Sequence, residues 1–329
     1  MKGHFITDWS QPEQLTLREM PDVALTAGQV RVAVRAVGVN FADGLIIQGK
    51  YQEKPAFPFA PGFEIAGEVS EIAPDVTHFH IGQRVFAAIA HSGYADQVVL
   101  PASHLHTIPA SMDFATAAAF PIAYGTSHFA LIDRARLQAG ETVLIHGAAG
   151  GVGLTAVECA KAAGARVIAT ARGADRVQIA LDHGADVGLD TASPDFSLRD
   201  QVRALIDGRG VDVVYDPVGG ELFDASLRCT APDGRLLVIG FAGGTVPQIP
   251  ANHLLVKNLS VIGVYWGAYR TLAPARFQAS FEELISWYKA GLLKPLVSQT
   301  FPLEQASEAL IALKNRQITG KAVLTVDPA

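Results

Sequence analysis

The chain has 329 residues, 49% of them hydrophobic and 18% charged, and a formal net charge of −6. That apolar content supports a sizeable core and excludes disorder, while the length suits two domains. The acidic balance, with no run of lysine or arginine, argues against a nucleic-acid or anionic-membrane partner, and no apolar stretch approaches membrane-spanning length.

The N-terminus, Met1-Lys2-Gly3-His4-Phe5, has no signal-peptide pattern, so a cytoplasmic protein is expected. The first third reads as β-structure. Val30–Val37 alternates apolar and polar residues as far as Ala36, and further strands are expected at Ile65–Ile72, Gln83–Ala88 and Tyr94–Leu100, the last stopped by Pro101. Joints rich in proline and glycine, notably Pro55, Pro58, Pro61 and Gly62, separate them, as in a barrel-like β-domain. A short helix follows at Phe114–Phe120, which Pro121 should break or kink.

From there to about residue 265 strands and helices alternate, the pattern of a doubly wound parallel sheet. Its first crossover is the most informative stretch of the chain. The strand Thr142–Ile145 runs into His146-Gly147-Ala148-Ala149-Gly150-Gly151-Val152-Gly153, and a helix rich in small residues leaves it. Gly150 allows backbone to approach a pyrophosphate closely, Gly153 allows the helix to pack on the strand, and the helix start offers unpaired N–H groups to phosphate. Ala149, Gly150, Gly151, Val152 and Gly153 are therefore candidate cofactor contacts. A second strand, Ala165–Thr170, completes the βαβ unit. No carboxylate ends it; Thr170 is followed by Arg172 and Arg176, and guanidinium groups suit the extra phosphate of NADP rather than the ribose hydroxyls of NAD.

Later strands are expected at Val211–Asp216, Arg235–Gly240 and Leu259–Val264. Amphipathic helices at Ala275–Ala290 and Leu303–Lys314 and a last strand, Lys321–Val326, follow. The two cysteines, Cys159 and Cys229, are too few for a four-cysteine zinc site and read as buried thiols. The paired histidines His78/His80 and His104/His106 lack a third ligand nearby and read as surface residues.

The whole chain resembles the zinc-free quinone oxidoreductases of the medium-chain dehydrogenase/reductase superfamily. The matching residues include Gly38-Val39-Asn40-Phe41-Ala42-Asp43, Gly49-Lys50-Tyr51, Pro61–Gly67, Gly82–Val85, the Ala148–Gly153 turn in its alanine-for-glycine form, and Gly320–Leu324. The resemblance implies an α/β protein: a GroES-like β-domain from residues 1–120 and 266–329, and a Rossmann doubly wound parallel sheet domain from 121–265. It implies an active site in the cleft between them and a homodimer joined through the Rossmann edge strand Leu259–Val264. It adds Phe241 and Arg316 as cofactor contacts, and Asn40 and Tyr51 as candidate donors to substrate oxygen, Tyr51 also as a proton donor.

Departures from the zinc alcohol dehydrogenases matter too. Asn40 stands near a ligand cysteine's position, and Phe63-Glu64 where a His-Glu pair would stand, so no metal is expected. Arg176 matches a lysine used by some relatives on the adenosine 2′-phosphate, and Thr191 sits near the position of a tyrosine used with it. The function expected is NADPH-dependent, zinc-independent hydride transfer to a quinone or an enone. Two alternatives remain: an enoyl-thioester reductase acting on an acyl-CoA or carrier-bound chain, and an NADPH-binding structural or sensor protein without turnover.

Overall fold

A short ribbon opens the chain, β1 (Lys2–Gly3) against β2 (Arg18–Glu19). The computed structural model describes residues 1–327 and divides the chain into two units, one of residues 1–122 plus the tail from Pro295, the other Ala123–Lys294.

In the first unit the alternation around Val30 becomes β3 (Gln29–Val39), whose Val30, Val32, Val34 and Ala36 are buried. A short helix, α1 (Phe41–Ile47), follows; the backbone N–H of Asn40 donates to Asp43 at 2.6 Å at its start. Strands β4 (Glu64–Ile72), β5 (Arg84–Ala88), β6 (Gln97–Pro101) and β7 (Leu105–Thr107) come next, then α2 (Phe114–Ala119), capped by Asp113 on the Thr116 N–H at 2.7 Å. As expected, Pro121 ends this helix. It begins the next one, α3 (Pro121–His128), as the first helical residue, where its missing N–H costs nothing.

The second unit is a six-stranded parallel sheet. Its strands are β8 (Thr142–Ile145), β9 (Arg166–Ala171), β10 (Val187–Asp190), β11 (Val211–Asp216), β12 (Thr230–Val238) and β13 (Ser260–Gly263). Crossover helices are α4 (Gly151–Ala162), α5 (Ala174–Asp182), α6 (Leu198–Leu205), α7 (Glu221–Cys229) and α8 (Ala251–Lys257). The strand order is β10-β9-β8-β11-β12-β13, so the chain reverses direction across the sheet between β8 and β11. Ligands of doubly wound sheets bind at such a switch point, outside the carboxyl ends of the strands.

Helices α9 (Tyr269–Leu272) and α10 (Pro274–Lys289) still belong to this unit. The expected return to the β-domain at residue 266 comes instead at Pro295. Trp266 stacks on Phe277 at 4.8 Å and meets Phe281 at 5.9 Å, and that aromatic cluster holds the segment in the second unit. The tail then adds β14 (Val297–Pro302), α11 (Ala306–Lys314) and β15 (Lys321–Thr325) to the first unit. Its sheet runs β14-β15-β3-β4-β5-β7, with β6 also paired to β3.

Candidate active site

The glycine turn lies at the carboxyl end of β8, beside the switch point. Gly150 is the N-cap of α4, so the N–H groups of Gly151, Val152 and Gly153 have no partner one turn back. Gly150 is exposed and Gly151 half-exposed, while Ala148 and Ala149 are buried beneath them. A Cβ on Gly153 would collide with the carbonyl of Gly147, so only glycine lets α4 sit this close to the turn. The donor set and this cradle fit a pyrophosphate.

Under the turn lies a residue whose role the sequence reading missed. His146 is fully buried and bridges two hydroxyls, Thr170 Oγ1 at 2.9 Å from Nδ1 and Ser226 Oγ at 2.7 Å from Nε2. Burial lowers its pKa, so the neutral ring ties β8 to β9 and α7. Thr170 is corrected by the same observation. It is buried, its hydroxyl is engaged by His146, and its carbonyl accepts the N–H of Ala148, so it shapes the turn rather than lining its surface.

Beyond β9, Arg172 is exposed with no ion pair or hydrogen bond among the described residues, and Arg176 is half-buried in the first turn of α5. Between them Gly173 adopts φ 93°, and its N–H donates to Asp190 at 2.7 Å. This carboxylate belongs to the end of β10, which register sets beside Ala171. Hydrogen bonds from the N–H groups of Ala192 and Gly173 hold its pKa below the usual range. The acid is used in shaping the loop that carries Arg172. Phe241 lies beyond the carboxyl end of β12, partly exposed, and Thr191 directs its hydroxyl to the Ala171 carbonyl. Arg316 belongs to the first unit, exposed in a left-handed turn after α11 with φ 59°.

The first unit holds a buried polar network around Asn40. Lys321 Nζ, from β15, reaches Glu64 Oε1 at 2.7 Å, Asn40 Oδ1 at 2.6 Å and the carbonyl of Val39 at 2.9 Å. Asn40 Nδ2 donates to Glu64 Oε1 at 2.8 Å and to the Gly38 carbonyl at 3.3 Å, and the other Glu64 oxygen accepts the N–H of Ile122 at 2.7 Å. Both hydrogens of the Asn40 amide are thus engaged inside the protein, and its side chain is better placed to hold the backbone than to donate to a substrate. Phe63, on the neighbouring position to Glu64, packs against Tyr51 with ring centroids 5.0 Å apart. Among the described residues no three His, Cys, Asp or Glu side chains gather as a metal would need. His106 stacks on Phe86 at 5.2 Å, and burial depresses its pKa to about 4.

Asp43 extends this network. It is fully buried, accepting from Tyr94 Oη at 3.0 Å and from the Asn40 N–H on the same oxygen. Burial pushes its carboxyl up to about 7, although the hydrogen bonds and the charge of Lys321 act the other way. A folded-state pKa above the unfolded value means stability is complete below about pH 4 and is lost as pH rises through about 7. The Asp43→Asn variant should remove that loss. Its unfolding free energy relative to the parent should rise by as much as about 4 kcal/mol between pH 4 and 8, as read by urea titrations. A flat difference across that range would show that Asp43 stays ionised.

The comparisons with known proteins agree with this geometry. Residues 26–110 match the alcohol dehydrogenase GroES-like domain family and residues 151–289 the zinc-binding dehydrogenase family. The chain is 43% identical to quinone oxidoreductase-like protein 2 homolog of Nematostella vectensis over 91% of its length and 82% of that protein. It superposes on Escherichia coli quinone oxidoreductase complexed with NADPH with a TM-score of 0.90 and 30% identity, covering 99% of this chain and 100% of that one. It superposes on the CurK enoyl reductase with a TM-score of 0.90 and 26% identity, over 99% of each chain.

Proposed function

Because the chain belongs to the zinc-free quinone oxidoreductase family of the medium-chain dehydrogenase/reductase superfamily, and is an NADPH-dependent oxidoreductase, we propose that it reduces a quinone or an enone. The observation that carries this reading is the ammonium of Lys321, seated on Glu64 and Asn40. A Lewis-acid metal would need those oxygens, and a buried cation already holds them. Alcohol oxidation loses its usual electrophile, whereas conjugate reduction needs only a hydrogen-bond donor at the oxygen where charge appears.

NADPH, when bound, supplies the hydride. The N–H groups of Gly151, Val152 and Gly153 would hold its pyrophosphate, and Arg172 with Arg176 its 2′-phosphate. Phe241 and Arg316 are proposed as further contacts. As hydride adds to the conjugated carbon, the electron pair of the double bond moves to the carbonyl oxygen. Tyr51 would donate its phenolic hydrogen bond there, and one proton then completes the product. Asn40 supports this chemistry by holding the chain that leads into α1.

The Tyr51→Phe variant should lower turnover on enones by about 10²-fold and less on quinones, with NADPH affinity unchanged. A reduced quinone oxygen is already a stable phenolate and needs less help. Rates on both acceptor classes, beside a cofactor titration, check this; full turnover by the Phe variant on every acceptor would remove Tyr51 from the chemistry.

The likeness to an enoyl reductase favours a second reading, reduction of an enoyl thioester. NADPH consumption measured with a quinone, an enone and a crotonyl thioester separates the two. Preference for the first two supports our reading, and exclusive use of the thioester supports the second. We also propose a homodimer. Among the described residues no strand lies beyond the edge of β13, and Leu255 just before it is 78% exposed.

A further inference from the structure

The second unit carries a cavity that the proposed chemistry does not use. It is an open concavity of about 630 Å³ lined by the exposed Arg199, Arg203, Arg209 and Arg228 and by Lys257, with no aspartate or glutamate in its wall. Gly210 and Thr230, also in the wall, lie at the amino-terminal ends of β11 and β12. The glycine turn follows the carboxyl end of β8, so the two features occupy opposite ends of one sheet.

Four parts of the chain bring the charges together. Arg199 and Arg203 are one turn apart on α6 and share a face. Arg228 comes from the last turn of α7, Lys257 from the last turn of α8, and Arg209 from the loop before β11. Lys257 Nζ is fixed by the carbonyls of Leu227, Arg228 and Thr230 at 3.3, 3.1 and 2.9 Å, which satisfies the end of α7. Arg209 pairs with Asp212 at 2.6 Å. Arg199, Arg203 and Arg228 have no ion pair or hydrogen bond among the described residues. Burial, and then the charges of Arg203 and Arg199, lower the pKa of Lys257, so these cations repel one another.

Of the five cations around this concavity only Arg209 has a carboxylate partner among the described residues, and the other four, in a chain whose formal charge is −6, call for a counter-anion. Guanidinium forks match phosphate oxygens in pairs, and the volume suits a small molecule. We propose that this cavity is a second anion site, taking a small molecule with a chain of two or more phosphates.

Calorimetric titration with sodium tripolyphosphate, in physiological salt and with NADPH saturating, tests it. One equivalent should bind, and the R199A/R203A/R228A variant should bind about 30-fold more weakly while keeping its NADPH affinity. The R199K/R203K/R228K variant, which keeps the charges and loses the forks, should fall between the two and serves if the alanine variant does not fold. A parallel titration with ATP distinguishes the source. Tighter binding than tripolyphosphate assigns a nucleotide, and weaker binding assigns an inorganic chain. No binding of either, competition with NADPH, undiminished binding by the alanine variant, or tighter binding to an RNA oligomer or anionic vesicles would overturn the proposal.

Discussion

Replacing Lys321 with methionine is expected to destabilise the protein by about 3–5 kcal/mol, the usual penalty for stranding one member of a buried ion pair. Glu64 is fully buried and Lys321 is 6% exposed, so neither water nor a mobile surface group can compensate. The substitution also leaves Asn40 Oδ1 and the Val39 carbonyl without their donor. The double variant E64Q/K321M should recover at least about 2 kcal/mol of the loss. A neutral glutamine can still accept from Ile122 and no longer carries an uncompensated charge. Urea midpoints of the parent and both variants check this. A single-variant loss below about 1 kcal/mol would show that water enters the network.

The R172A/R176A variant should bind NADPH about 100-fold more weakly and NADH almost as well as the parent. A well-formed charge-assisted contact to phosphate contributes roughly 10- to 100-fold, and the exposure of Arg172 puts it near the lower end. Tight-binding titrations with both cofactors provide the measurement. Equal loss for the two would mean that the arginines hold the loop rather than the 2′-phosphate. Asp190 supplies an internal control. Replacing it with alanine frees the Gly173 and Ala192 N–H groups and should loosen the loop for both cofactors alike.

The glycine turn was legible in the sequence because its signals are local. A glycine turn between a strand and a helix carries its own steric logic, and Gly153 is required for a contact only six residues back, with Gly147. The network around Asn40 was not legible. Lys321 lies 281 residues from Asn40 and 257 from Glu64, and only the pairing of β15 with β3 and of β3 with β4 brings them together. β9 itself ends without a carboxylate, yet Asp190 arrives beside it from β10 through strand register. The domain return near residue 266 failed for a similar reason. The amphipathic pattern of α10 does not say which unit its apolar face covers, and the Trp266–Phe277–Phe281 cluster decides that in three dimensions. His146 reads as an ordinary strand-end residue until Thr170 and Ser226 close on both ring nitrogens.

The central claim is that hydride passes from NADPH to the conjugated carbon of an activated double bond. Its most direct test uses NADPH deuterated at C4, each epimer in turn, with a simple enone and mass analysis of the product. One deuterium is expected at the carbon β to the carbonyl from one epimer and none from the other, with a solvent proton at the α carbon. Product carrying no deuterium from either epimer, or tight NADPH binding with no product from any enone or quinone, would contradict it.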